Sequence, residues 1–244
     1  GKFDEQAGTF APEWHRMMNT GPASAAPLPG EKGRVVVVSN EGGGYTGKGG
    51  GNWNGVFTLP RIYELDDNGV LRVAPAGDTD SLRGKEMATS RTLPMGLAPG
   101  KEEVLDGING SAMELVAEIV ELNVLRSPDA EEFTTIRLYR DGEPYGRRGG
   151  QRWTLGVDTA YSSRNAGIAH EFPSGTEFLR FDREPFRIRV FIDMSLVEVF
   201  VNDAAHLAER TYPMFPESTG VSLRSTGGGA KLQAVRAWPM ETIY

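Results

Sequence analysis

Four groups of residues have types and spacings that suit chemistry. The first is a glycine loop. Gly42-Gly43-Gly44-Tyr45-Thr46-Gly47 fits G-x-G-x-x-G, and Gly42 to Lys48 fits G-x-x-x-x-G-K. Both patterns cradle phosphate with backbone N–H groups at a helix N-terminus. Here Lys48 is followed by Gly49 rather than the Ser or Thr that would ligate magnesium. Gly50-Gly51-Asn52-Trp53 and a strand come next, so no helix supplies the dipole, and the segment reads as a flexible loop.

Histidine is the second group. His15, His170 and His206 are the three in the chain. No pair has metal-ligand spacing and no G-x-S-x-G elbow is present, so each reads as an isolated, solvated or packed residue. Carboxylates are the third. With 33 Asp and Glu, proximity in sequence carries no information. Glu198 stands out because it lies inside Leu196-Val197-Glu198-Val199-Phe200-Val201, where a buried charge requires a partner. Arg187, Arg189 and Arg210, on neighbouring strands, are the expected partners, in a structural ion pair or on an exposed face. Aromatics that stack on sugar rings are the fourth: Trp14, Trp53, Trp153 and Trp238. Trp238 closes the last strand and reads as core; Trp53, at a Gly-rich strand start, is the candidate for a cleft wall.

The elements that must hold these residues are strands. The chain has 244 residues, 31 Gly and 15 Pro, with 39% apolar and 24% charged residues. That composition, with many short apolar runs, predicts an all-β protein rich in turns. A net charge of -7 argues against nucleic acid or an anionic membrane as partner. No apolar stretch approaches the roughly 20 residues of a membrane helix. The absence of Cys removes disulfides, thiolate catalysis and Cys-ligated zinc. No metal or cofactor is expected.

Arg34 to Ser39 reads as a buried strand, and Trp53 to Pro60 as another. Ile62–Leu65 and Val70–Val73 flank Asp67-Asn68-Gly69, a hairpin turn. Residues 77–110 form a transition, with a boundary placed near residue 85. Beyond residue 110 the expected strands are 111–121, 132–140, 151–157, 167–172, 177–180, 185–193, 195–202, 205–212, 219–225 and 230–238. Their period-2 alternation and regular turns predict an antiparallel sandwich. The chain opens on Gly1 rather than Met, so an upstream segment is expected.

Residues 186–203 add a more specific signal. Asp193-Met194-Ser195-Leu196-Val197-Glu198-Val199-Phe200-Val201-Asn202-Asp203 resembles the Asp-x-Ser-x-x-Glu-x-Phe…Asn-Asp signature of the C-terminal sandwich of glycoside hydrolase family 32, the invertase, levanase and inulinase family. Thr211-Tyr212-Pro213, Gly220-Val221-Ser222-Leu223 and Ala237-Trp238-Pro239-Met240 follow in the family's order. Upstream, Trp53-Asn54-Gly55…Pro60-Arg61 is similar to the family's Gly-Trp-x-Gly…Pro-Arg strand. Leu71…Pro75…Leu82-Arg83 resembles the link leaving the catalytic propeller, and Gly1-Lys2-Phe3-Asp4…Phe10-Ala11-Pro12-Glu13 an earlier strand pair.

The resemblance implies a partial β-propeller over residues 1–85 and a concanavalin-like β-sandwich over 86–244. It implies a retaining β-fructosidase acting on sucrose or fructose-containing oligo- and polysaccharides. It gives Asp193, Ser195, Glu198, Phe200 and Asn202 as structural signature. Glu41, where the family often has Trp-x-x-Glu, and Trp53 become substrate-binding candidates. The departures bear on activity. Retention requires a nucleophile and an acid/base roughly 5–5.5 Å apart. The family's Asn-Asp-Pro-Asn-Gly, Arg-Asp-Pro and Glu-Cys motifs that carry them do not occur here. The expectation is a chain without catalytic residues, inactive alone, with a structural or substrate-positioning role. The missing N-terminal propeller segment or another subunit is its expected partner. A sugar-binding module or a degenerate remnant is the alternative.

Overall fold

A computed structural model describes residues 2–11, 23–41, 55–119, 121–145, 150–165, 168, 174–180, 186–225 and 229–241. Trp14, Trp53, His15, His170 and the glycine loop lie outside them.

In chain order the strands are β1 (Lys2–Asp4), β2 (Thr9–Ala11), β3 (Ala23–Pro27), β4 (Arg34–Glu41), β5 (Val56–Phe57), β6 (Arg61–Leu65) and β7 (Leu71–Pro75). After a short 3-10 helix, Thr79–Leu82, come β8 (Met95–Leu97), β9 (Glu102–Asn109), β10 (Ala112–Glu118), β11 (Glu121–Arg126), β12 (Thr134–Tyr145), β13 (Gly150–Asp158) and β14 (Ser174–Arg180). The last are β15 (Arg187–Asp193), β16 (Leu196–Val201), β17 (Ala205–Arg210), β18 (Gly220–Arg224), β19 (Ala230–Leu232) and β20 (Val235–Pro239). The chain is all-β, as its composition predicts, and no α-helix occurs among the described residues.

Two antiparallel sheets make the sandwich. One runs β17-β16-β15-β10-β20 and the other β14-β13-β12-β11-β18-β9. Alternation drives their packing. Ile188, Val190 and Ile192 of β15, with Val197, Val199 and Val201 of β16, point between the sheets. There they meet Leu122, Val124, Ile136, Leu155, Val221 and Leu223 of the second sheet. Each of these is essentially solvent-free, so the core is dry and continuous. The loops at one end are gathered by Glu132, which is fully buried. Its carboxylate accepts from the N–H groups of Arg164 at 2.8 Å, Met214 at 2.9 Å and Phe215 at 3.1 Å, and from the Ser218 hydroxyl at 2.7 Å.

A third sheet, β3-β4-β6-β7 with β5 beside β4, covers the outer face of the first. Every residue of β16 is therefore buried, on both faces. Such a middle layer is a run of apolar residues with few polar exceptions. The β6–β7 hairpin forms where expected. Its turn is pinned by Asp66 Oδ1, which accepts from the N–H groups of Asn68 and Val70, both at 2.9 Å.

Four strand expectations change. The expected strand 230–238 is two, β19 paired with β8 and β20 paired with β10. Residues 111–121 are one strand and the start of another, because the chain turns between Glu118 and Glu121 to enter the second sheet. The 77–110 transition contains two strands, β8 and β9. Arg34–Glu41 is only half-buried apart from Ser39, because its neighbour β3 is an exposed edge with no layer upon it among the described residues. The β1–β2 hairpin is likewise exposed throughout, with Phe3 opposite Phe10.

Candidate functional site

The signature residues sit on the face of β16 that turns away from the sandwich core. In register, Glu198 lies opposite Phe191 of β15 and Ala208 of β17. It is 1% exposed. The expected arginine partners lie elsewhere. Arg189 binds Glu114 and the Thr79 hydroxyl, Arg210 binds Ser195, and Arg187 is exposed. Instead Glu198 Oε1 accepts the Leu59 N–H at 2.6 Å, and Glu198 Oε2 lies 3.0 Å from His206 Nε2. Arg61 Nη1 lies 2.8 Å from His206 Nδ1 and 3.3 Å from Nε2, and Arg61 Nη2 donates to the Ser39 hydroxyl.

A continuous polar relay, Ser39–Arg61–His206–Glu198–Leu59, thus crosses from the third sheet to the sandwich. Its side chains are buried: Arg61 and Ser39 at 0% and His206 at 2% exposure. The guanidinium only donates, so the ring nitrogen it engages is an acceptor.

Burial holds His206 well below the ordinary imidazole range, and the Arg61 charge adds to this. Burial also pushes the Glu198 carboxyl up to about 8. The Leu59 N–H and the Arg61 charge oppose that rise; Glu41 and Asp193 reinforce it. Tyr63, beside the relay, is raised by burial, against Arg61.

The remaining signature residues frame the relay. Phe200, 1% exposed, packs with Phe191, Tyr63 and Val73 in a small apolar cluster distinct from the main core, with Val37, Leu59, Leu71 and Met240 around it. Asn202 and Asp203 both have positive φ, 47° and 49°, in the type I′ turn that joins β16 to β17. The Asn202 side chain accepts from the Arg187 N–H at 2.7 Å, and the Asp203 carbonyl accepts from the Val73 N–H at 2.9 Å. Ser195 caps the other end of β16 through Arg210 Nη2, at 2.6 Å.

Three elements of the signature therefore bind strands 56–75, Glu198, Phe200 and the Asn202–Asp203 turn, with His206 beside them. His206 and Arg61 were legible only as an isolated histidine and as part of a Pro-Arg pair. The signal that joins them is the buried, fixed charge of Arg61, which no sequence period reveals.

A cavity of about 380 Å³ adjoins the relay. Phe57, Thr58, Leu59, Leu82, Phe191, Asp193, Glu198, Met240 and Glu241 are among its walls. Glu198 borders it with both oxygens already hydrogen-bonded, so its carboxyl is committed to the protein rather than to a leaving group. Asp193 is exposed at the end of β15. Glu41 ends β4, half-buried and paired through its backbone with Val56. Its charge reinforces the rise of Glu198 and opposes the burial that lowers Arg210. Among the described residues no group of three or more His, Asp and Glu could hold a metal ion.

Below the cavity the connection from the third sheet is strapped to the sandwich. Glu114, fully buried, receives two 2.8 Å bonds from Arg83 and a further bond from Arg189. The Arg83 guanidinium lies 4.1 Å from the centre of the Trp238 ring, within cation–π range. Backbone bonds from Gly84 to Pro239 and from Met87 to Ala237, both 2.8 Å, continue the strap along β20.

These features define a β-sandwich with a docking face on one sheet. The family model for the C-terminal domain of glycosyl hydrolases family 32 matches residues 78–239, and the chain belongs to that family. Among curated relatives, it is 29% identical over 198 residues to the sucrose-6-phosphate hydrolase of Escherichia coli, a match covering 77% of this chain and 35% of that one. It is 25% identical over 204 residues to the levanase of Bacillus subtilis, covering 79% and 28%. The chain thus spans about a third of the length of these relatives. Its fold is similar to that of fructan 1-exohydrolase IIa from Cichorium intybus, with a TM-score of 0.76 at 17% identity over 99% of this chain and 54% of that one. It is also similar to the exo-inulinase of Aspergillus awamori, with a TM-score of 0.69 at 18% identity over 100% and 49%.

Proposed function

We infer that these residues are the C-terminal part of a β-fructofuranosidase-type glycosidase acting on sucrose or fructans. The role of the chain is structural. Residues 1–85 complete a catalytic propeller, and the sandwich of 86–244 holds those strands in place. The cleaving carboxylates are supplied by sequence outside these 244 residues. One observation carries this reading: Glu198, Phe200 and the Asn202–Asp203 turn, the residues that resemble the family signature, are engaged with strands 56–75.

The same reading accounts for the exposed flank. Phe3 and Phe10 are 63% and 62% exposed, and every residue of β3 is exposed. An edge with apolar side chains that has no neighbour among the described residues calls for one, here the preceding propeller strands or another subunit. Fructose release settles the matter. The purified chain, incubated with sucrose, inulin or levan, is expected to release none; measurable release contradicts the assignment.

A second reading rests on the cavity. Phe57, 75% exposed, offers a ring face, while Asp193 and Glu241 offer acceptors for sugar hydroxyls. On that reading the chain is a carbohydrate-binding module. Calorimetric titration with fructo-oligosaccharides separates the two. Heat of binding that disappears in Phe57→Ala supports the module, and no heat at millimolar ligand leaves the structural role alone.

A further inference from the structure

The cavity beside the relay has polar side chains of one sense only. Its described walls include Asp193, Glu198 and Glu241, and they include no Lys, Arg, His, Asn, Gln, Tyr or Trp. The Thr58 hydroxyl is engaged with Ser39, accepting from its N–H at 3.0 Å and donating to its carbonyl at 3.4 Å. Glu198 is hydrogen-bonded to Leu59 and His206. Asp193 and Glu241 differ from it. Both are exposed, and neither carboxylate has a partner among the described residues. The free polar side chains of the cavity are therefore negatively charged acceptors, and an occupant must bring the donors.

The surrounding cations do not cancel that charge, because they are engaged elsewhere. Arg83 and Arg189 are paired with Glu114 and Asp80, and Arg61 is fully buried in the relay. A metal ion does not fit, since no three acids among the described residues converge on one point. The rest of the lining is apolar: Leu82, Leu196 and Met240, with Phe57 at the mouth. The Phe191 ring is taken by Phe200 and by the Arg189 guanidinium, 4.8 Å from its centre. Phe57, 75% exposed, keeps a ring face open, and an aromatic face attracts cations. The volume of about 380 Å³ is that of a small-ligand site.

We propose that this cavity binds a small organic cation, an ammonium group on an apolar body, with Asp193 and Glu241 accepting its N–H donors and Phe57, Leu196 and Met240 packing on its body. A sugar fits these walls less well, because its hydroxyls accept as well as donate and no free side-chain donor faces them. Phe57 to Pro60 belong to the third sheet and its loop, whereas Asp193 and Leu196 belong to the sandwich. An occupant therefore touches both layers beside the Leu59–Glu198 bond, and its binding should raise the melting temperature.

The test uses the full chain labelled at its methionine methyl groups, with the Met240 signal assigned by Met240→Leu. Phenethylamine is titrated as the cation and phenethyl alcohol as its neutral analogue. Phenethylamine is expected to shift the Met240 signal saturably and to bind about fivefold more tightly than the alcohol, the size of a pair of exposed ionic contacts. In the double variant Asp193→Asn, Glu241→Gln, which alters two exposed side chains, its affinity should fall to that of the alcohol. No Met240 shift at about 10 mM phenethylamine, weaker than any specific site of this kind, overturns the proposal. So does equal affinity for amine and alcohol, or undiminished amine binding in the double variant. Fructose release by the chain, or its absence, has no bearing on this site.

Discussion

His206 shows how one residue can be indispensable without touching a substrate. Its ring joins a guanidinium that never loses its charge to a carboxyl that burial drives toward neutrality. Removing the ring strands both. His206→Ala should destabilise the chain by about 3 kcal/mol, since unsatisfied buried donors and acceptors cost about 1–3 kcal/mol each and more when charged. Urea denaturation followed by circular dichroism measures this, and a loss below about 1 kcal/mol would show the relay to be idle. Glu198 gives the pH dependence its sign. Its folded pKa is raised, to about 8, so its contribution to stability is full below about 4.5 and is lost as pH rises to 8. His206 is depressed, so its contribution is full above about 6.5 and is lost as pH falls. The two slopes oppose each other between 4.5 and 6.5. Above 6.5 the Glu198 slope stands alone. The melting temperature should therefore fall from pH 6.5 to 8, and Glu198→Gln should flatten that decline.

At the scale of elements, the legible strands were those with a strong period or strong turns. Val197, Val199 and Val201 face a core, and the alternation shows it. The β6–β7 hairpin carries Asp67-Asn68-Gly69. The strand β9 was hidden because it is a sheet edge, bearing Glu102, Glu103 and Asp106 in a half-solvated setting, and because Gly107 interrupts it at a φ of 86°. There a Cβ would meet the Ala88 carbonyl oxygen at 2.3 Å, so the glycine marks a close backbone crossing rather than a loop. Arg34 to Ser39 misled in the opposite direction: a β-branched run announces burial, but the layer that would bury it is not among the described residues. The signature was legible as a pattern, whereas its partners, Leu59, Arg61 and His206, lie up to 139 positions away in sequence and share no period with it. The strap between layers yields its own prediction. Arg83→Met leaves the buried Glu114 with Arg189 as its remaining cation and empties the face of Trp238. A loss of about 2–3 kcal/mol in thermal unfolding is expected, because a broken buried ion pair costs more than an exposed one. A change within 0.5 kcal/mol would mean the strap is held by its backbone bonds alone.

The larger sheets of the described residues stack in three layers: a third sheet laid on a two-sheet sandwich whose middle layer is buried on both faces. Its flank toward β1–β3 is open and its interface toward β15–β17 is closed by a small apolar cluster and three polar contacts. That division, with chemistry outside and docking inside, is the core of the account. Native-state hydrogen exchange at the Leu59 and Val73 amides tests it most directly, because these two N–H groups donate to Glu198 and to the Asp203 carbonyl across the interface. The account predicts that both exchange slowly, at rates close to those of β16, and that the Leu59 amide alone accelerates strongly in Glu198→Ala. Exchange of both amides at loop-like rates in the natural chain would contradict it.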